Sequence, residues 1–221
     1  MHRRRRTALV LSAAAVAAAP LLTACGSEAH PGAAAVVGDD RITVAQLESR
    51  VNEVRDAQRA AIPDEQQYEQ AIAKTGGLTR STLHTMVLDK VLHQAAADAG
   101  VAVSRREIQT MEAGLKQQAG SKKALEQGWL QQYSVAPSRL TESFRTEIEA
   151  QKLAKVIGAD MNAPEGQAVF WKELSKASKK LDVDLNPRYG RWDVEKSKRA
   201  DARTPWVREV SGNGEARPEQ A

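Results

Sequence analysis

The segment 79–100, TRSTLHTMVLDKVLHQAAADAG, constrains the fold more than any other part of the chain. Its apolar residues recur at intervals of three and four, which is the spacing of one face of an α-helix. The main stripe is Leu88, Val91, Leu92, Ala95 and Ala99, widened by Leu83, Met86 and Val87. Gly100 is a natural C-terminal stop. The segment is therefore the strongest helix prediction in the sequence.

Helical signals continue through most of the chain. Thr43 and Gln46 have the spacing of a capping box, as do Ser104 and Glu107. We expect helices over about 44–62, 65–74, 104–119, 122–132, 137–157 and 164–181. In the helix after Pro137, one face carries Leu140, Phe144 and Ile148, whereas Ala150, Leu153 and Ile157 lie on a different face. That helix must bury different faces along its length.

Strand signals occur at both ends of the helical region. AVVGDDRIT (35–43) predicts two short strands joined by a Gly-Asp turn. After the last helix stands VDLNPRYGRW (183–192), in which Tyr189 and Trp192 would serve either a recognition loop or a closing strand. Its position after the last helix favours a short closing strand at Val183 and Leu185, with a turn at Pro187 and Gly190; contact between this strand and Val36-Val37 would show that the fold closes on itself. The predicted fold is mainly α, with an N-terminal hairpin and a C-terminal strand.

The N-terminus has the pattern of an export signal. Arg3 to Arg6 precede a 15-residue apolar run (8–22), which is shorter than the ~20 residues that span a bilayer. The following Leu-Thr-Ala-Cys resembles a bacterial lipobox, which implies a diacylglycerol on the sulfur of Cys25. Cys25 is the one cysteine in the sequence, so no intramolecular disulfide is possible. Export by the Sec or the twin-arginine route is left open.

The charge balance depends on that signal. Lys and Arg total 32, four of them Arg3 to Arg6, so a chain cleaved before Cys25 has 28 basic and 28 acidic residues. A neutral exported chain argues against nucleic acid as a partner. We predict a signal peptide over 1–24, a flexible tether over 25–35, a helical domain over 36–192 and a disordered charged tail over 193–221.

Residue patterns typical of enzymes do not occur. The sequence has no Walker loop, dinucleotide fingerprint or Gly-x-Ser-x-Gly. His84 and His93 are nine residues apart, so they do not form the i, i+4 pair of a helical metal site. We expect no catalytic residue, metal or cofactor.

Large polarizable side chains are the remaining candidates for function. Met86, Met111, Trp129 and Trp171 are either core residues or the lining of a groove for apolar peptide segments. Methionine adapts to apolar partners of varied shape, which suits such a groove.

Three stretches resemble the SurA/PrsA class of extracytoplasmic chaperones. They are AAVVGDDRITVAQLESRV (34–51), LHTMVLDKVLHQAAADAGVAVSRREIQTM (83–111) and SVAPSRLTESFRTEIEAQKLAKVI (134–157). Family members often carry a parvulin-type prolyl isomerase domain, for which the region between the last helix and residue 192 leaves no room. The resemblance implies a peptide-binding module without the isomerase and transfers no binding residue.

Two functions are consistent with these features. The first is a lipid-anchored chaperone on the extracytoplasmic face of the cell membrane, with unfolded or extended polypeptides as partners. The second is an accessory or structural lipoprotein that docks one specific cell-envelope or secretion partner.

Overall fold

Helices dominate the computed structural model, which describes residues 31–74 and 76–201. Seven α-helices occur in these ranges: α1 (Val44–Ala61), α2 (Glu65–Lys74), α3 (Leu78–Asp98), α4 (Arg105–Ala119), α5 (Lys122–Tyr133), α6 (Leu140–Val156) and α7 (Pro164–Lys180). Their existence and approximate bounds confirm the sequence prediction. None of the helices in the described ranges has both the length and the apolarity needed to cross a membrane.

Two small antiparallel sheets complete the fold within the described ranges. The strands are β1 (Ala33–Val37), β2 (Asp40–Thr43), β3 (Asp184–Leu185), β4 (Arg191–Asp193) and β5 (Lys198–Ala200). The first sheet has the order β2-β1-β3, with Ala35 opposite Leu185 and Val36 opposite Asp184. The predicted C-terminal strand is confirmed, and it closes the fold by pairing with the first strand.

Local capping sets the start of two helices. At α1 the Thr43 hydroxyl accepts from the Gln46 N–H at 3.1 Å, and the Gln46 side chain accepts from the Thr43 N–H at 2.8 Å. Ser104 and Glu107 form the same reciprocal pair at α4. Both predicted capping boxes are confirmed, and each satisfies two N–H groups that have no partner within the helix.

The buried face of α3 is rotated from the predicted stripe. Leu83, Val87 and Val91 are fully buried, whereas Leu88 and Ala99 are only partly buried. The difference arises because α1, α6 and α7 all pack on α3. A helix contacted from several sides buries more than one stripe, and the contacts decide which stripe is deepest.

Helix α6 spans two hydrophobic clusters. Leu140, Phe144 and Ile148 pack in one cluster with residues of α4 and α5, whereas Leu153 and Ala154 belong to the main core. The prediction that this helix buries different faces along its length is confirmed. Its first turn is a 3-10 turn, Pro137–Arg139, rather than α-helix.

Two predicted boundaries are wrong. Ala33 to Ala35 are buried in β1, so the tether predicted to reach residue 35 ends earlier. At the other end β4 pairs with β5, and the buried Trp192 on β4 packs in the main core, so ordered structure continues past residue 193. Both segments were misassigned because their small or charged residues carry little periodicity. The signal, Cys25 and residues 202–221 lie outside the described residues.

Candidate functional site

Two adjoining cavities form an open groove across α1, α3 and α6. Their volumes are about 620 Å³ and about 430 Å³, and we refer to them together as the groove. The wall they share consists of Arg50, Asp89, Arg139, Glu142 and Thr146. The groove therefore has two ends and a common charged middle.

One end of the groove is aromatic and aliphatic. It is lined by Met111, Leu115, Trp129, Tyr133 and Val135. The Trp129 ring lies edge-on to the fully buried Phe144 at 5.4 Å, and its indole N–H donates to the Ser143 hydroxyl at 3.2 Å. These contacts hold the ring in place, while Tyr133 beside it remains 54% exposed. This end offers a preformed apolar surface to a ligand.

The other end combines apolar side chains with a paired polar rim. Val37, Ile42, Met86 and Leu181 contribute the apolar part. The rim holds Lys90, which donates to Asp40 at 2.6 Å, and also His93, whose Nδ1 lies 3.1 Å from the carboxylate of the buried Glu149. Strands β1 and β2 position this end, because the β1–β2 hairpin brings residues 37–42 against α3.

A chain of ion pairs crosses the middle of the groove. Arg139 donates to both carboxylate oxygens of Glu53 at 2.7 Å and to Glu142 at 3.3 Å. Arg50 donates to Glu142 at 3.1 Å. The bidentate hydrogen bonds from Arg139 lower the pKa of Glu53 to about 2. The network ties α1 to α6 and to the turn that precedes it.

Asp89 lies in the same middle wall but outside the network. Within residues 31–74 and 76–201, no side chain or backbone group donates a hydrogen bond to its carboxylate. Burial, and next the negative charge of Glu142, raise the pKa of Asp89 to about 7, although Arg50 acts in the opposite direction. Asp89 is therefore the carboxylate of the shared wall that has no hydrogen-bonded cation.

The sequence-predicted contact residues divide between two places. Met86 lines one end of the groove, and Met111 and Trp129 line the other. Trp171 lies on α7, away from both cavities, where it is 42% exposed and meets Phe170 edge-on. Sequence reasoning missed Arg50, Asp89, Arg139 and Glu142. Local spacing offers only the Arg139–Glu142 pair, three residues apart, whereas Arg50 meets Glu142 across 92 residues and Arg139 meets Glu53 across 86.

His84 and His93, the two histidines in the described residues, both contact other side chains. No group of three or more His, Cys, Asp or Glu in the described part of the chain is placed to hold a metal ion. His84 stacks against Trp192 at 5.6 Å, and burial, assisted by Arg199, lowers its pKa. Because apolar side chains line both ends of the groove and charged side chains line its middle, the groove favours binding of apolar and charged groups.

The architecture and the groove can be compared with known proteins. The family model for the SurA-like N-terminal domain matches residues 1–154, which is more than half of the chain. The chain belongs to the SurA N-terminal domain family. This membership agrees with the mainly α fold and with the resemblance seen in the three sequence stretches.

A relative supports the same assignment. The protein named Chaperone SurA of Burkholderia lata is 32% identical over 146 residues, which are 66% of this chain and 31% of that protein. The chain thus matches less than a third of the length of this relative. No solved structure matches the chain.

Proposed function

We propose that the chain is a lipid-anchored chaperone on the extracytoplasmic face of the cell membrane that binds apolar segments of unfolded exported proteins. The observation that carries the proposal is the groove, with its apolar ends held open on α1, α3 and α6 in a SurA N-terminal domain fold. A client side chain would lie against Trp129 and Met111 at one end or against Met86 at the other.

The chemistry of the groove suits promiscuous binding. Methionine side chains rearrange at low cost, so they accommodate apolar groups of different shapes. A disordered client loses conformational entropy when it binds, which keeps the affinity low and exchange fast. Binding of this kind requires neither ATP nor a metal, and we propose no prolyl isomerase activity for the chain.

Aggregation of a denatured protein tests the binding role. We expect the full chain to suppress light scattering by denatured citrate synthase at near-stoichiometric amounts. Trp129→Ala should weaken suppression several-fold, whereas Trp171→Ala removes the same side chain outside the groove and should have no effect. Equal behaviour of the two variants, or no suppression by the unchanged chain, would contradict the proposal.

A second groove variant separates binding from folding. Trp129 is half-buried, so its removal also weakens the cluster around Phe144. Tyr133 is 54% exposed at the same end of the groove, and Tyr133→Asp places a charge there without emptying the core. Circular dichroism should show unchanged helix content, while suppression falls as it does for Trp129→Ala.

The anchor depends on Cys25. We expect the chain to fractionate with membranes and to incorporate labelled fatty acid, and Cys25→Ser to abolish both. Ser27→Ala, two residues away, is the matched control. A Cys25→Ser protein that stays in the membrane fraction would remove the anchor from the proposal.

The alternative function is docking to one cell-envelope partner. Crosslinking in cells followed by purification distinguishes the two, because a chaperone yields many substoichiometric clients and a docking protein yields one stoichiometric partner. A peptide assay of proline isomerisation completes the comparison, and we expect no acceleration.

A further inference from the structure

Asp89 occupies the point at which the two ends of the groove meet. It lines both cavities, so a ligand that extends from one end to the other passes over its carboxylate. On the same wall, Arg50 and Arg139 are already engaged by Glu53 and Glu142. Both arginines of the wall therefore already have carboxylate partners, whereas Asp89 has no hydrogen-bonded cation.

The charged groups that act on Asp89 come from α1 and α6, and further charged groups line the cavities around it. Helix α1 presents Arg50, and α6 presents Glu142 and Glu149. Arg139 comes from the 3-10 turn before α6, and His93 follows one turn along α3, where it contacts Glu149. Burial of Asp89, and next the negative charges of the acids on α6, disfavour its ionisation and raise its pKa. A positive group from a ligand would remove that penalty.

We propose that Asp89 is a specificity-determining residue of the groove, which selects client segments in which a lysine or arginine neighbours a large apolar side chain. This inference rests on the proposed function and names the class of client. The cation lies against Asp89, and the apolar side chain lies against Trp129 and Met111. The carboxylate and the apolar surface line the same cavity of about 430 Å³, so adjacent side chains of one segment can reach both.

Because ionised Asp89 is negative, the proposed binding prefers cationic clients and depends on pH. A hydrogen bond between an ionised carboxylate and an ammonium or guanidinium is stronger than one between neutral groups. A cationic client therefore binds the ionised form of Asp89, which prevails above pH 7. Protonation of Asp89 at lower pH removes the preference, whereas the lysine or arginine of the client keeps its charge.

Three labelled peptides test the proposal. We would measure fluorescence anisotropy of decapeptides that share a central phenylalanine followed by lysine, glutamine or glutamate in a Gly-Ser background. With the full chain at pH 8, we expect the lysine peptide to bind about tenfold tighter than the glutamate peptide. At pH 6 the ratio should fall to about twofold.

Three variants of α3 assign the effect to one carboxylate. Asp89→Asn should reduce the lysine preference to less than twofold at both pH values. Asp98→Asn makes the same change on the same helix outside both cavities, and it should keep the wild-type ratio. Asp89→Ser repeats the test with a smaller side chain, and thermal unfolding checks that each variant is folded.

The outcomes separate this inference from the proposed function. If the three peptides bind equally well to the wild-type chain, the role of Asp89 is wrong and the chaperone function stands. If none binds and aggregation is not suppressed, the chaperone function itself fails. If sedimentation shows a dimer that the lysine peptide does not dissociate, a second copy fills the groove and the inference is also wrong.

Discussion

The indole N–H of Trp192 donates to the hydroxyl of Ser178 at 2.5 Å, and both side chains are buried. This contact joins β4 to α7 and brings the segment after the last helix into the main core. A buried indole N–H requires a hydrogen-bond partner, and the Ser178 hydroxyl provides it.

Ser178→Ala leaves that N–H without its acceptor. We expect a loss of about 1–3 kcal/mol in the free energy of unfolding, since a buried donor loses its solvation without compensation. Urea unfolding followed by circular dichroism measures the change. In a Trp192→Phe background the same substitution should have little further effect, because no donor remains. An equal loss in both backgrounds would mean that the hydrogen bond is unimportant.

The helices were predictable because their signals are local. Capping boxes at Thr43 and Ser104, stops at Gly100 and apolar spacing all involve residues a few positions apart, and the structure follows them. The two faces of α6 were predictable for the same reason. Local spacing predicts which elements form, whereas the depth of burial on α3 depends on its neighbours.

The middle of the groove was not predictable from the sequence. Arg139 meets Glu53 across 86 residues, and Asp89 acquires its environment from α1 and α6. Neither relationship leaves a periodic or motif signal. The strand β5 was missed because Lys198–Ala200 is short and charged, and it is defined by its pairing with β4.

Glu53→Gln tests the contribution of the ion-pair network. The pKa of Glu53 is about 2 in the folded chain, below its ordinary value of 4.5, so ionisation favours the folded state. The stabilisation is complete above about pH 4.5 and is lost as the pH falls towards 2. We expect the variant to lose about 1 kcal/mol at pH 7, because the pair is partly exposed to solvent.

The pH series provides the control for that substitution. The difference between wild type and Glu53→Gln in thermal unfolding should shrink steadily between pH 4.5 and pH 2. Glu48→Gln, at an exposed position of α1, should show no such trend. A difference that stays constant with pH would contradict the ionic origin of the effect.

A glycine substitution before β4 tests the segment that follows α7, and a second one in α4 is its control. Gly190 has φ 122° and ψ −155°, a region nearly reserved for glycine, and a Cβ there would lie 2.4 Å from the carbonyl oxygen of Ala200. We expect Gly190→Ala to cost about 2–4 kcal/mol and to increase amide exchange in β4 and β5. Gly114→Ala, in a helix with open space around it, should stabilise the chain by about 0.5–1 kcal/mol.

Asp89→Asn should stabilise the protein in a pH-dependent manner. The folded-state pKa of Asp89 is about 7, above its ordinary value of 3.8, so the folded state binds the proton more tightly than the unfolded state. Stability is therefore greatest below about pH 3.8 and declines as the pH rises to about 7. Asparagine cannot ionise, so the stability of the variant does not fall in this way as the pH rises. We expect its advantage to grow between pH 4 and pH 7, reach about 1–2 kcal/mol and remain constant above pH 7. Urea unfolding at four pH values measures it, and an advantage independent of pH would show that Asp89 is not destabilised by its charge.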